Sequence, residues 1–336
     1  MLKIKKITFL EKNKIGLIES NFDEPERPDE ITVKSLASLI SPGTELAWLQ
    51  GYTAWIKFPY TTGYANVGEI ISRGEKAEGF KEGDLIFTNG PHASYFRLKP
   101  SVHFAVKLPD ETDPFTACFA IFADIAATAL RSGRMELGDK VAVLGLGPIG
   151  NFAAQLLQLN GCEVAGFDLS PKRIEIAKNC GISFCQNPSE IGMEQLIQSW
   201  TGERGCDSVV EASGNSSAAL DACKICRKNG EMLLLGTPRK SFNSDLTKFL
   251  FEIHIKGLTL KSAAAPLYPV KEDLLGFNKH CIERNACITL KMLAEKKLKT
   301  EPLLTKIIQP NECAEAYYKL MNQPDEFMTI AFDWKN

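Results

Sequence analysis

The sequence predicts an α/β protein: a doubly wound parallel sheet preceded by a β-rich unit. Strand-like and helix-like segments alternate through the middle of the chain, and a glycine-rich turn joins the first of those strands to its helix. Ahead of them, from Ile4 to about Leu108, short β-type runs are broken by turn signals such as Ser41-Pro-Gly, Glu82-Gly-Asp84 and Asn89-Gly-Pro91.

The texture changes after Pro114, where Phe115 to Arg131 is a helix-length, nearly continuous apolar segment. Next come a strand at Val141–Leu144, a helix at Pro148–Leu159, a strand at Val164–Phe167 and a helix at Pro171–Asn179. Met193–Trp200 and Ser216–Arg227 read as helices, Ser208–Glu211 and Met232–Leu235 as strands. Repeated β-α-β units require a parallel sheet with helices on both faces. After about Ala265 the tail carries helical patterns over Asp273–Lys297 and Glu312–Met321 and ends in a strand-like Phe327–Phe332.

A length of 336 residues suits two domains at roughly 100–200 residues each. With 39 basic against 41 acidic side chains and no basic block, nucleic acid is not an expected partner. The apolar runs read as too short to cross a bilayer, and the start MLKIKKITFLEKNK lacks the apolar core of a signal peptide, so a cytoplasmic protein without membrane contact is expected. The ten cysteines are irregularly spaced, and the ordinary hydrophobic fraction of 44% gives no need for disulfide staples; reduced, packed thiols are expected.

Gly145-Leu-Gly147-Pro-Ile-Gly150 follows the strand Val141–Leu144 and opens the helix Pro148–Leu159. That setting marks a Rossmann dinucleotide site: one glycine for the tight turn, one for backbone approach to a pyrophosphate, one for helix–strand packing. A plain turn is the alternative. Asp168 ends the next strand, where a carboxylate bonds the ribose 2′-hydroxyl of NAD and repels the 2′-phosphate of NADP, or else caps the helix that starts at Pro171. Arg173 can contact the adenosine ribose, or with Lys172 admit some NADP. Pro148, Ile149, Leu235 and Gly236 are further candidate cofactor contacts.

The order of a β-rich unit, a Rossmann unit and a mixed tail, together with Gly83-Asp84, Ala93-Ser-Tyr95, Lys107-Leu-Pro109 and Gly138-Asp-Lys-Val141, resembles the medium-chain dehydrogenase/reductase superfamily over nearly the whole chain. The resemblance implies a GroES-like catalytic domain, residues 1–121 completed by 266–336, around a nucleotide domain at 122–265. It also implies a homodimer or homotetramer, because that family pairs nucleotide domains edge to edge through the strand near residues 257–263.

In the zinc alcohol dehydrogenase branch, a Cys-Gly-Thr-Asp motif, a Gly-His-Glu motif and a third Cys or Glu hold the catalytic zinc. Here Pro42, Tyr64 and Ala120 or Ile121 stand at those places, and the four-cysteine lobe of the structural zinc is missing between Gly83-Asp84 and His92. The one Cys-x-x-Cys, Cys223 and Cys226, is read as lying within a helix, as packing rather than as a metal clamp. No metal site is expected.

Without zinc, a side chain must give or take the proton while hydride moves to or from a nicotinamide. The family's relay hydroxyl is retained as Thr44, while the histidine that often follows is Ala47. Tyr64 either hydrogen-bonds a substrate oxygen or fills the space of the metal. Asp124, in an otherwise apolar helix and at a family position beside the nicotinamide, is either an acid/base with a raised pKa or a capping or surface charge. His92 is read chiefly as packing, and Glu45 as orienting its loop.

The segment Ser41-Pro-Gly-Thr-Glu45, Gly51, and Phe58 to Gly68 with Glu69 resembles the branch that includes bacteriochlorophyllide a dehydrogenase. Trp48, Tyr52, Trp55 and Phe58 suit an apolar or planar substrate, or serve as core. The expected function is a zinc-independent, NAD-dependent interconversion of a secondary alcohol and a ketone. The alternatives are an NADPH-dependent quinone or enoyl reductase and a nucleotide-binding protein without turnover.

Overall fold

The computed structural model describes residues 3–22, 26–190, 192–239, 241–273 and 275–335. The chain forms two compact units, one of residues up to Ile121 together with those from Tyr268 onward, the other Phe122–Leu267.

The first unit is β-rich. An antiparallel hairpin, Lys3–Glu11 with Lys14–Asn21, takes Tyr60–Thr61 on its other edge. A seven-stranded sheet runs in the order Lys306–Ile308, Ile330–Asp333, Ile31–Leu39, Asn66–Arg73, Leu85–Thr88, Ala105–Lys107, with Tyr95–Leu98 also paired to Ile31–Leu39. The last strand thus closes on one of the first, Ala331 opposite Leu39. Ile7, Phe9, Trp48, Leu49, Tyr317 and Phe332 share one core, which joins the two ends of the chain by apolar burial.

The second unit holds a six-stranded parallel sheet: Phe184–Gln186, Glu163–Phe167, Lys140–Leu144, Cys206–Glu211, Cys226–Leu234 and Thr259–Ser262 in spatial order. In chain order this is 3-2-1-4-5-6, so the direction of winding reverses between Lys140–Leu144 and Cys206–Glu211, where such sheets take ligands beyond the strand ends. Helix Pro148–Leu159 follows the first strand, and helix Pro171–Asn179 the second.

Several elements differ from expectation. The apolar segment divides into helices Pro114–Cys118 and Ala120–Ser132, the first capped by Asp113, whose carboxylate accepts the Thr116 amide at 2.8 Å. Contrary to the run-length argument, Pro114–Ser132 is long and apolar enough by composition to cross a bilayer, but 67% of its 18-residue window is buried inside the protein, as in a core helix. The helix from Ser216 ends at Ile225, and Cys226 already pairs with Cys206 as the first residue of the next strand, so the Cys-x-x-Cys straddles a helix end. Phe184–Gln186 was too short to show a period, and helix Leu246–Lys256 buries none of its residues completely, so neither left a clear apolar signature. In the tail the helix is Ile282–Ala294; the pattern expected from Asp273 includes residue 274, which lies outside the described residues.

Candidate functional site

In the second unit the glycine motif forms a side-chain-free cradle. Gly145 has φ +93°, and a Cβ there would stand 2.8 Å from backbone and side-chain atoms of Ser213. A Cβ on Gly150 would lie 1.8 Å from the Gly145 carbonyl oxygen, so helix and turn meet by backbone contact. Around Gly147 a Cβ would meet nothing within 4 Å. Gly147 is the N-cap of helix Pro148–Leu159 and offers no side chain to it. The first intrahelical bond runs from the Asn151 amide to the Gly147 carbonyl at 2.8 Å. The amides of Ile149 and Gly150 ahead of it are those a helix leaves to a ligand, and with the helix dipole they suit an anion.

Asp168 is buried at the end of the neighbouring strand. One carboxylate oxygen accepts the Leu146 amide at 2.7 Å and the other the Ser170 amide at 2.9 Å, which ties the strand end to the glycine turn. The helix cap is Ser170, whose hydroxyl accepts the Arg173 amide at 3.3 Å. The Arg173 guanidinium stands 3.9 Å from Asp168, whereas Lys172 turns to Glu175 at 2.8 Å. Leu235 and Gly236 both donate their amides to the Glu211 carbonyl, at 2.9 and 2.7 Å, leaving Cα surface and carbonyls for any ligand. These groups fit a dinucleotide: open backbone for a pyrophosphate, a carboxylate for ribose hydroxyls. Asp124, in helix Ala120–Ser132, is buried.

The polar centre of the first unit is built around Glu45, on helix Pro42–Leu49. Its fully buried carboxylate accepts the Ser41 amide at 2.8 Å, the Thr62 hydroxyl at 2.6 Å and the Tyr317 hydroxyl at 2.5 Å, and His92 Nε2 lies 3.2 Å away. Since a carboxylate only accepts, His92 Nε2 carries a proton. Burial alone pushes the Glu45 carboxyl up, but His92 and the hydroxyl donors outweigh it and hold it below the usual glutamate range. Burial and the same carboxylate raise the Tyr317 phenol well above its ordinary value, so it remains a donor. His92 Nδ1 meets Ser38 Oγ at 2.7 Å, and Ser38 also accepts the Trp334 indole N–H at 2.8 Å. Serine, histidine and carboxylate here follow a hydrolase-like order, but all three are sealed from solvent and the serine oxygen is engaged by Trp334.

Gly63, at φ +101°, lets the backbone run against His92, where a Cβ would approach the ring and amide within 2.4–2.8 Å. The next residue, Tyr64, donates its hydroxyl to Ser41 Oγ at 2.5 Å and packs its ring 5.6 Å from Trp48. Trp48 also packs against Tyr60 and Trp55, both at 5.5 Å; Trp55 is 65% and Tyr52 is 52% exposed. Thr44, on the same short helix as Glu45, is half-buried.

Sequence reasoning singled out Thr44 and Tyr64 but missed Glu45 as the hub of this centre, with Ser41, Thr62, His92 and Tyr317 as its partners. A single acid immediately ahead of the apolar run Leu46 to Leu49 was the available signal. It also missed Glu211, a buried acid at the end of the fourth strand.

The donor set does not fit zinc. Pro42 occupies the first turn of its helix without a ligating atom, Tyr64 is bonded to Ser41, and Ala120 and Ile121 are buried apolar side chains. The lone pairs of Glu45 are taken by protein donors, and among the described residues no three His, Cys, Asp or Glu side chains gather closely enough to hold an ion. Nine cysteines are buried and Cys287 is exposed; burial raises the thiols of Cys223 to about 11 and Cys226 to about 12.

A family model described as zinc-binding dehydrogenase matches residues 148–272. L-threonine 3-dehydrogenase of Caldanaerobacter subterraneus subsp. tengcongensis is 29% identical over 271 residues, 70% of this chain and 75% of that protein. D-guloside 3-dehydrogenase of Escherichia coli strain K12 is 31% identical over 160 residues, 47% of this chain and 46% of that one. The crystal structure of galactitol-1-phosphate dehydrogenase from Escherichia coli superposes with a TM-score of 0.84 at 20% identity, covering 98% of this chain and 99% of that one, a likeness of fold. With its 3-2-1-4-5-6 parallel sheet, glycine cradle and separate β-rich unit, the chain is similar to alcohol-dehydrogenase-like oxidoreductases of the medium-chain dehydrogenase/reductase superfamily.

Proposed function

We propose that this chain is a zinc-independent, NAD(H)-dependent oxidoreductase that interconverts a secondary alcohol and a ketone. The observation that carries this reading is the pairing of Tyr64 with Ser41 where the family's zinc branch has a histidine ligand: a protic side chain replaces the metal. Bound nicotinamide supplies the hydride donor or acceptor. The amides at Ile149 and Gly150 hold its pyrophosphate, and Asp168 takes the ribose hydroxyls and disfavours a 2′-phosphate.

Tyr64, whose hydroxyl is bonded to Ser41, orients the substrate oxygen: in reduction its phenolic hydrogen passes to that oxygen as hydride reaches the carbon, leaving a phenolate beside Ser41, and in oxidation that phenolate takes the hydroxyl proton. Thr44 is the second hydroxyl of the proposal, and Asp124, a buried carboxylate, its further acid/base. Tyr52 and Trp55 offer aromatic surface to an apolar or planar substrate. Among the described residues the outer strand Thr259–Ser262 is paired on one side only, which supports a homodimer or homotetramer joined at that edge, and ten cysteines outside disulfides support the cytoplasm as its location.

Titrating purified protein with NADH and NADPH, then screening secondary alcohols and ketones for hydride transfer, tests the reading. NADH preference with turnover of a secondary alcohol is expected. NADPH preference with reduction of quinones or enones would replace it by the reductase reading, and NADH binding without any turnover by a non-catalytic one.

A further inference from the structure

We propose that Glu211 is a positioning residue for the dinucleotide, its ionised carboxylate holding the backbone on which the cofactor rests. The inference rests on the NAD-binding reading above and extends it to a residue outside the glycine motif. Glu211 is the last residue of the fourth strand, opposite Leu144 of the first, and so lies where the winding of the sheet reverses. It is buried, 2% exposed. Its carboxylate accepts the Ser213 amide at 2.8 Å, the Gly214 amide at 3.1 and 3.2 Å, and the Ser213 hydroxyl.

Those donors belong to a loop that forms one wall of the cradle. Ser213 fills the space a Cβ on Gly145 would need, and Gly214 packs so closely on Gly236 that a Cβ on Gly236 would stand 2.3 Å from the Gly214 amide. Three backbone turns, at Gly145, Ser213-Gly214 and Gly236, therefore interlock with little room to shift, and one carboxylate fixes the middle turn. Burial pushes that carboxyl above the ordinary glutamate range, while its Ser213 and Gly214 donors pull it back. Protonation would remove an acceptor from these donors and loosen the turn.

Few other charges among the described residues face this carboxylate. Helix Pro148–Leu159 carries none, and the strand neighbours at its level are Leu144 and Leu234. Lys140, Arg227, Lys228 and Glu231 lie farther back along the adjacent strands, and Asp221 and Lys224 lie farther along the following helix. Arg239 follows Gly236, and Asp168 stands at the same end of the sheet, two strands away.

The test is calorimetric titration of the full chain with NAD⁺, which survives acid, at steps from roughly pH 8 down to pH 5. Wild-type affinity is expected to fall with acidification, by up to about tenfold per pH unit below the midpoint. Glu211→Gln should bind about tenfold more weakly at the alkaline end and show little change with pH. Ser213→Ala removes a donor to the ionised form and should move the wild-type midpoint to higher pH, which keeps the proposal testable if Glu211→Gln does not fold. A pH dependence that persists in Glu211→Gln belongs to another group and overturns the proposal, as does an unmoved midpoint in Ser213→Ala or pH-independent wild-type binding. Complete absence of NAD⁺ binding by the wild-type chain would overturn the NAD reading itself, and the proposal with it.

Discussion

Tyr64 donates its phenolic hydrogen to Ser41 Oγ at 2.5 Å, and the Ser41 amide donates in turn to Glu45 at 2.8 Å, so the tyrosine hydroxyl is tied to a buried carboxylate through one serine. In Tyr64→Phe the ring keeps its place beside Trp48 while the hydroxyl is lost. Hydride transfer should fall by about 10²–10⁴-fold with NADH affinity unchanged, as read by NADH absorbance and by fluorescence titration. An unaltered rate would remove Tyr64 from proton handling.

Asp124→Asn preserves shape and removes a buried acid in helix Ala120–Ser132. Turnover should drop far more than NADH affinity. Equal loss of both would assign Asp124 to folding or cofactor binding.

On the proposed NAD reading, Asp168→Asn removes the charge that meets the ribose hydroxyls and repels a 2′-phosphate, and it leaves one of the Leu146 and Ser170 amides without its acceptor. NADH should bind about tenfold more weakly, and the gap between NADH and NADPH should narrow. Parallel titrations with the two cofactors check this; a preserved gap would mean that Arg173 or another group sets the preference.

Glu45→Gln would place an amide N–H₂ among Thr62, Tyr317 and His92, all of which have donor hydrogens aimed at this side chain. A cost of about 3–5 kcal/mol is expected in denaturant unfolding. Because the folded protein holds Glu45 below the ordinary glutamate value, ionisation favours folding. That contribution is complete above the ordinary value near 4.5 and is lost as pH falls through the lower folded one. The wild type should lose stability in this acid window, and Glu45→Gln should lose less.

With nine thiols buried, a thiol reagent should label Cys287 quickly in the folded chain and all ten cysteines only after denaturation. Rapid labelling of Cys223 or Cys226, whose thiolates burial disfavours, would contradict the packing described for them.

The Rossmann unit was legible in the sequence because its signals are local: Gly145 to Gly150 sit between a strand and a helix, and Asp168 ends the next strand. The centre of the first unit was not, because its parts are remote in the chain. Tyr317 reaches Glu45 across 272 positions and Trp334 reaches Ser38 across 296, and no spacing rule connects them. Glu211 escaped notice for a different reason. An acid at a strand end reads as a surface charge until Ser213 and Gly214 are seen folded back onto it. The early end of the helix at Ile225 was hidden because Cys226 carries no helix-breaking side chain; its pairing with Cys206 decides it.

Whether side chains do here the work a metal does in the zinc branch is decided by elemental analysis of purified protein shown to bind NADH. Zinc far below one equivalent per chain is expected, even after incubation with the ion and gel filtration. One tightly held zinc per chain would contradict it.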